Sequence, residues 1–261
     1  MSVLHALLKL GKILAVAPSC ETTKTGKLYS LVMAGLITLG VGVSIVYRIP
    51  FYGEADIIQL VIQILLDSTL YVFNMYTVLT SQRSQIWHEL VKNLETLQTK
   101  NTPNEGIQFV SINLMFWGCQ IYMTLVAYRA IKVDFFKQMA IEYLQFYDQF
   151  IVNYTFYVLL KMILERYRSL TNKLQHSLSV LETTKVKRDF CRLKESVDRV
   201  NTIFGWPFLL TIVNASLQTL LYLQTMIIFP SLPLDSVFYT LIAIFWQYVS
   251  LQTVPSLSYV K

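Results

Sequence analysis

The chain has 261 residues, of which 54% are hydrophobic and only 15% are charged, with a formal net charge of +6. Its mean hydropathy of +0.47 excludes a water-soluble globule, because too little polar surface is left to cover one of this length. The sequence therefore predicts an all-α membrane protein, since its apolar runs are far too long for the strands of a membrane barrel.

The chain opens with a short predicted helix whose apolar residues recur at helical spacing. Lys9 and Lys12 interrupt this stretch, so it does not resemble the apolar core of a cleaved signal peptide. We expect an amphipathic helix that lies in the inner membrane interface. Its apolar-face positions are Leu4, Leu7, Leu8, Gly11 and Leu14.

Six segments are long and apolar enough to cross about 30 Å of hydrocarbon as a helix. The fourth is the least apolar, since Asp148, Asn153 and Lys161 fall in or near it. No repeat or linker marks a second domain, so residues 1–261 are predicted to form one polytopic membrane helix bundle. The predicted spans are 28–47, 57–80, 107–128, 143–164, 202–229 and 235–258.

The basic residues are distributed unevenly between the two sides of the predicted bundle. Of the 22 lysines and arginines, 18 lie before the first span, in the second connection, from Lys161 to Arg199, or at Lys261. The other side keeps only Arg48, Arg129, Lys132 and Lys137. Because cytoplasmic loops carry the excess of positive charge, this bias predicts a cytoplasmic N-terminus. The same bias explains the positive net charge, so we expect no nucleic-acid partner.

Residues 165–201, between the fourth and fifth spans, form a basic connection with two amphipathic stripes. Spacings of three and four residues predict two helices, joined near residues 182–184, which extend both spans into the cytoplasm. We expect these helices to pack on one another or on other subunits. The first stripe contains Leu170, Leu174, Leu178 and Leu181, and the second contains Phe190, Leu193, Val197 and Val200.

Residues that could carry catalysis or bind a metal are scattered along the chain. His5, His88 and His176 lie far apart in predicted cytoplasmic segments and belong to no HExxH, paired-carboxylate or nucleophile motif. The sequence also lacks a glycine-rich phosphate loop. We therefore expect neither an enzyme nor a bound metal or cofactor.

Asp67 is the only ionisable residue deep in a clean predicted span. An intramembrane carboxylate is costly, which favours a functional role as a ligand contact, an ion-path residue or a proton site. The alternative is a carboxyl group that is protonated or hydrogen-bonded to neighbouring spans. The sequence by itself weighs these two interpretations equally.

A rhodopsin-like receptor is excluded by topology and by motif. That family has its N-terminus outside, a cysteine at the outer end of the third span and an acidic-arginine pair at the inner end. Here the third span starts inside and ends outside near Arg129, and the predicted outer loops contain no cysteine.

The strongest family resemblance lies in residues 193–226, LKESVDRVNTIFGWPFLLTIVNASLQTLLYLQTM. This stretch resembles the fifth span of the insect gustatory receptors, seven-helix chemoreceptors related to the insect odorant receptors. In that span a charged cytoplasmic helix leads through a valine, asparagine, apolar, phenylalanine-glycine element into an apolar helix. The N-terminal LLKLGKILAVAPS is similar to the leader before that family's first span.

The resemblance implies a gustatory receptor, a subunit of a tastant-gated, non-selective cation channel that serves the perception of taste in the plasma membrane. It further implies a homo- or hetero-tetramer around a central pore. In that family the seventh span lines the pore and carries a Thr-Tyr pair followed by five apolar residues and Gln-Phe. This chain stops at Lys261 after its sixth predicted span, so we expect a fragment that lacks the pore helix.

The resemblance also implies a tastant pocket in the outer half of the bundle, where aromatic faces and a few hydrogen-bonding groups would meet a small molecule. Each candidate taken alone is better explained by interface anchoring or helix packing, but the set favours a pocket, because its members come from five different spans at similar depth. The alternative function is a secondary transporter with a midplane carboxylate such as Asp67, although no inverted repeat is evident. The pocket candidates are Gln63, Asp67, Gln120, Tyr122, Tyr147, Tyr154, Gln218, Tyr222, Tyr239 and Trp246.

Overall fold

The computed structural model of the chain describes residues 3–17, 24–54, 56–82, 84–96, 104–132, 134–176 and 180–228. Every regular element in these ranges is an α-helix, which confirms the all-α prediction. In chain order the helices are α1 (Val3–Ile13), α2 (Lys24–Glu54), α3 (Ile57–Ser81), α4 (Ser84–Thr96), α5 (Asn104–Ile131), α6 (Asp134–His176) and α7 (Val180–Ile228).

The first five predicted spans fall on observed helices, namely α2, α3, α5, α6 and α7. The first of these helices does not end at Arg48, because α2 continues through Pro50 to Glu54. Arg48 is therefore a helix residue and not part of an outer loop. The sixth predicted span, 235–258, lies outside the described residues.

Four of the described helical segments combine the length and the apolar composition needed to cross a membrane, and they are Gly26–Pro50, Ile57–Ser81, Gly106–Val126 and Thr184–Leu221. Large apolar side chains such as Leu31, Leu39 and Leu114 point away from the bundle. Such a surface is stable only against hydrocarbon. The chain is therefore a multi-pass membrane protein.

α6 is less apolar than these four segments, although it contains the fourth predicted span. Every side chain from Asp148 to Thr155 is buried, and α6 packs against α1, α2, α3, α5 and α7. A helix enclosed by other helices has no lipid-facing stripe, so it can carry polar side chains that bond to its neighbours. This central position explains why the sequence signal of the fourth span is weak.

α6 and α7 form an antiparallel pair along most of their length. The ring centroids of Phe156 and Phe204 are 5.2 Å apart, and those of Tyr167 and Phe190 are 5.7 Å apart near the other end of the pair. The predicted junction near residues 182–184 is wrong, because α7 already begins at Val180. That tripeptide contains no glycine or proline, so nothing in it breaks a helix.

The facing stripes of this pair are only partly those that the sequence predicted. Leu170, Leu193 and Val200 are buried as expected, whereas Leu174 and Val197 are exposed. On α7 the fully buried Ser196 takes the place predicted for Val197, because positions 193, 196 and 200 follow the heptad spacing of an interhelical seam. Leu178 lies outside the described residues.

α1 is amphipathic, as predicted, and it packs on the rest of the bundle through its apolar face. Its apolar face is covered by the protein: Leu4 and Leu7 are buried in the main core, and α1 packs mainly on α6. The N–H group of Val16 donates to the carbonyl oxygen of Gly11 at 2.8 Å, closing the turn that follows. A Cβ atom on Gly11 would lie 2.7 Å from the Cβ of Ala17, so only glycine fits this turn without a shift.

Candidate functional site

A charged cluster, Arg48 with Asp67 and Glu142, joins α2, α3 and α6 inside the bundle. The Arg48 side chain lies between the two carboxylates, with Nη1 3.1 Å from Asp67 Oδ1 and Nη2 2.5 Å from Glu142 Oε2. Arg48 as a whole is only 6% exposed. A charge buried this deeply is tolerated only when it is paired and hydrogen-bonded, and this arginine is both.

Further hydrogen bonds hold the charged cluster in one geometry. Arg48 Nε and Nη2 both donate to the carbonyl oxygen of Gln138, at 3.1 Å and 2.8 Å. The Gln63 amide donates to Asp67 Oδ1 at 3.1 Å, and the Ser44 hydroxyl also donates to the Gln138 carbonyl. The planar fork of arginine suits this arrangement, because it supplies five donors in fixed directions.

The charged cluster shows which groups surround Asp67 in the bundle. Its carboxylate is hydrogen-bonded to a neighbouring span, so its first role in this structure is to pair with Arg48. Sequence reasoning missed Arg48 as the partner of Asp67, and it missed Glu142 as the second carboxylate bound to Arg48. Arg48 was assigned to an outer loop because it follows an uncharged run, and Glu142 lies one residue before the fourth predicted span. The sequence did contain one usable signal: Arg48 follows the end of the first predicted span and Glu142 precedes the start of the fourth, so two opposite charges lie on the same side of the predicted bundle.

A second ion pair lies at the exposed edge of this region. Lys137 Nζ is 3.1 Å from Asp134 Oδ1 and 5.0 Å from the ring centroid of Tyr47. The hydrogen bond to Asp134 favours the protonated amine and so raises the pKa of Lys137. The contact with Tyr47 connects the start of α6 to α2 near the charged cluster.

An amide cluster, Gln149, Asn153, Thr211 and Asn214, links α6 to α7. Gln149 Nε2 donates to the Thr211 hydroxyl at 3.3 Å, and Asn214 Nδ2 donates to Gln149 Oε1 at 3.3 Å. The Thr211 hydroxyl also lies 3.3 Å from Asn153 Oδ1. Such side chains hold helices together within a bilayer, where no water competes for their hydrogen bonds. Asn214 therefore joins α7 to α6.

Several buried polar atoms near the amide cluster have no hydrogen-bond partner in the described structure. The most costly is Asp148, which is 1% exposed and leaves both carboxylate oxygens unpartnered. Gln145 Nε2 and the side-chain oxygens of Asn74 and Asn214 are in the same state. Leaving each such group unpaired costs about 1–3 kcal/mol. Water or a ligand would remove this cost.

Asp148 and Asn74 lie at similar depth in the bundle. Glu142 and Asp67 are level, because both bind Arg48. Asp148 is six residues further along α6, or about 9 Å, and Asn74 is seven residues further along α3, or about 10 Å. The interior at this depth is thus polar on two helices.

Stacked aromatic side chains of α5 and α6 form an aromatic ladder, Phe109, Phe116, Tyr147, Phe150 and Tyr154. The centroids of Phe116 and Phe150 are 4.9 Å apart in a stacked arrangement, and Phe116 is 5.5 Å from Tyr147. Further along, Phe109 lies 5.2 Å from Tyr154. Aromatic pairs of this geometry stabilise packing beyond the area that they bury.

The predicted pocket residues fall into several groups. Gln63 and Asp67 meet in the charged cluster, and Tyr147 and Tyr154 belong to the aromatic ladder. Gln120 and Gln218 are buried, whereas Tyr122 is half-buried. The side chain of Tyr222, together with Tyr239 and Trp246, lies outside the described residues.

Tyr154 does not share the depth expected for the pocket. It meets Phe109, which lies close to the start of α5, whereas Tyr147 meets Phe116. Seven residues of helix, about 10 Å, separate the two tyrosines. Tyr154 is thus nearer the end of the bundle opposite to the charged cluster, because α6 runs away from that cluster after Glu142.

No group of three or more histidine, cysteine, aspartate or glutamate side chains in the described ranges is arranged to hold a metal ion. The candidate site is therefore a set of buried polar and aromatic side chains. These can offer hydrogen bonds, ring faces and one unpartnered carboxyl group to a small molecule.

Comparison with known proteins identifies the chain at family level. The family model described as 7tm Chemosensory receptor matches residues 4–256, which is nearly the whole chain. No curated protein matches the chain.

Proposed function

The chain belongs to the 7tm chemosensory receptor family, and from this premise we propose that it is a gustatory receptor subunit, part of a tastant-gated, non-selective cation channel. The chemoreceptor role follows from the family. The taste modality is supported by residues 193–226, which resemble the fifth span of the insect gustatory receptors, and by the long basic connection before them. We further propose a plasma-membrane homo- or hetero-tetramer around a central pore.

The proposed tastant site lies among the buried polar side chains of α3, α5, α6 and α7. Gln120 on α5 and Asn214 on α7 are buried, and each has a side-chain oxygen without a partner among the described residues. A ligand that donates hydrogen bonds to these oxygens would remove the cost of burying them. The predicted residues Gln63, Asp67, Tyr122, Tyr147, Tyr154, Gln218, Tyr222, Tyr239 and Trp246 remain part of this proposal, with Tyr154 at its deeper end.

Ligand binding can open such a channel only through differential affinity for two arrangements of the helices. α6 is suited to couple the site to the rest of the subunit, because it packs on five other helices. A tastant that joins α5 and α7 more tightly in the open arrangement would shift their packing on α6. Taking a channel from mostly closed to mostly open needs about 5.5 kcal/mol of differential binding energy, which four subunits would share.

The tastant site is tested by replacing Gln120 with leucine, which has a similar size and no hydrogen-bonding group. A panel of sugars and bitter compounds is first screened for those that raise the unfolding temperature of the purified chain. Loss of one hydrogen bond should weaken binding of a stabilising tastant by about 3- to 10-fold. The control is Ser216→Ala, since Ser216 is exposed and bonds only to the carbonyl of Ile212 in its own helix.

The channel is tested separately by expressing the chain with a seventh span taken from a family relative. A tastant-evoked cation current is expected, and Tyr222→Ala or Trp246→Ala should weaken it without loss of surface expression. Tastant binding that is unaffected by every substitution in the proposed set would move the site elsewhere. Tastant binding without a tastant-evoked cation current would contradict the proposal that the chain is a channel subunit.

We also propose that the N-terminus and the 165–201 connection lie in the cytoplasm, because most basic residues gather in these segments. A cysteine replacing the exposed Lys185 should resist an impermeant thiol reagent in intact cells and react after the cells are opened. Ala substitution of Cys191 removes the exposed native thiol nearby. Labelling from outside would reverse the orientation.

The alternative function, a secondary transporter, requires Asp67 to be a free intramembrane carboxylate. That carboxylate accepts two hydrogen bonds of 3.1 Å from Arg48, so it is engaged in holding the bundle together. We therefore do not carry the transporter forward as a second function.

A further inference from the structure

A groove lined by residues with polar or charged ends runs along the C-terminal part of α6, beyond the fourth predicted span. Its volume is about 530 Å³, and it is lined by Glu165, Arg168, Ser169, Asn172 and Lys173. Successive helix residues are rotated by about 100°, so these side chains lie mainly on the side opposite to Leu170. Because Leu170 is buried in the bundle core, the groove opens away from the protein interior.

If the fourth span ends at residue 164, as the sequence predicts, the groove lies at the depth of a phospholipid headgroup. Arg168 is four residues past the end of the predicted span at 164, which places its Cα about 6 Å beyond the hydrocarbon. The headgroup layer extends roughly 5–8 Å on each side. Lys173 is further out, but helical side chains tilt toward the helix N-terminus, so its long stem reaches back toward the membrane.

The charges of the groove are available to a ligand. Arg168, Asn172 and Lys173 are exposed, and neither basic side chain forms an ion pair with another described residue. Arginine binds phosphate with two parallel hydrogen bonds, whereas lysine acts as a point charge. Ser169 and Asn172 add uncharged donors between them, and Glu165 is the single negative group.

We propose that this groove binds the headgroup of an anionic amino-phospholipid of the phosphatidylserine type. Arg168, Ser169 and Asn172 bind the phosphate, Lys173 binds the carboxylate, and Glu165 binds the ammonium group. Two positive groups and one negative group on the protein thus meet two negative groups and one positive group on the lipid. Such lipids are concentrated in the cytoplasmic leaflet, so the assignment rests on the orientation proposed above.

The test uses the purified full chain in neutral detergent micelles and a fluorescent phosphatidylserine, with energy transfer from the tryptophans as the signal. Arg168→Gln combined with Lys173→Gln should weaken binding by roughly 30-fold, since each basic residue near a membrane surface contributes about a factor of five. The matched control is Lys185→Gln with Lys187→Gln, which removes the same charge from two exposed positions of α7. The control should bind like the unmodified chain.

Glu165→Gln separates recognition of the amino group from general attraction between charges. Fluorescent phosphatidylglycerol has the same net charge as phosphatidylserine but no ammonium group. The substitution should weaken phosphatidylserine binding and strengthen phosphatidylglycerol binding, because it removes a partner from the first and a repulsion from the second. Equal effects on both lipids would overturn the assignment to an amino-phospholipid.

Two further results would overturn the lipid site. Equal losses in the two double variants would mean that the chain responds only to total charge. Glycerophosphoserine, the soluble headgroup without acyl chains, should compete poorly, and competition as strong as that of the lipid would indicate a site for free phosphate compounds. Phosphatidylserine binding in micelles is measured without a current or a tastant. A failed channel test therefore leaves the lipid-binding result unchanged.

Discussion

Replacing Arg48 with methionine should destabilise the helix bundle by about 3–5 kcal/mol, because it leaves two buried carboxylates without their cation. Asp67 and Glu142 both bind this guanidinium, at 3.1 Å and 2.5 Å, and their side chains are 15% and 16% exposed, against 7% for that of the arginine. The free energy of unfolding is measured in mild detergent with a denaturing detergent as the titrant. The control is Lys137→Met, which breaks an exposed ion pair and should leave the free energy of unfolding almost unchanged.

A triple variant tests whether unpaired charges cause this loss of stability. Arg48→Met combined with Asp67→Leu and Glu142→Leu removes all three charges and keeps similar volumes. Since the penalty comes from unpaired charges, the triple variant should recover most of the stability lost by Arg48→Met alone. If the triple variant were as unstable as the single variant, the charged cluster would not be the source of the loss.

Replacing Phe116 with alanine should cost roughly 3 kcal/mol, at the lower end of the range for a buried phenylalanine. Phe116 is 1% exposed and its ring stacks on Phe150 at 4.9 Å between centroids, so truncation opens a cavity between α5 and α6. The cost is at the lower end because detergent, unlike water, also solvates the ring in the unfolded state. Thermal and detergent-induced unfolding both measure it.

The adjacent Trp117 is the control for this substitution, because its side chain is larger but 46% exposed. Its alanine variant leaves no enclosed cavity and should lose much less stability than Phe116→Ala. Phe116→Leu should lie between the two, since leucine fills part of the space. A larger loss at Trp117 than at Phe116 would mean that α5 does not pack on α6 through Phe116.

The length and position of the membrane helices were predictable from the sequence. Runs of about twenty apolar residues can satisfy their backbone in hydrocarbon only as helices, and α3, Ile57–Ser81, matches its predicted span of 57–80 closely. Helix ends were less predictable. The residues after Tyr47 were assigned to a loop because a charge follows an apolar run, although α2 continues to Glu54.

The interior of the candidate site was less predictable, because it depends on which helices are neighbours. Asp67 was recognised as costly from its position alone, but its partner Arg48 lies on another helix, and the second carboxylate that binds this arginine, Glu142, lies on a third helix. Tyr147 and Tyr154 both satisfied the residue types of a pocket. Seven residues of one helix already separate them by about 10 Å, and the structure adds that Tyr147 meets Phe116 whereas Tyr154 meets Phe109.

The sequence by itself determined the membrane environment, the all-α class and the amphipathic nature of α1, because each follows from composition or from local periodicity. Only the tertiary structure decided that Leu7 is covered by protein, that Arg48 is the partner of Asp67, and that Ser196 replaces Val197 in the α6–α7 seam. A periodic pattern states which face of a helix is apolar. It does not state which surface covers that face, since lipid and a neighbouring helix are both apolar.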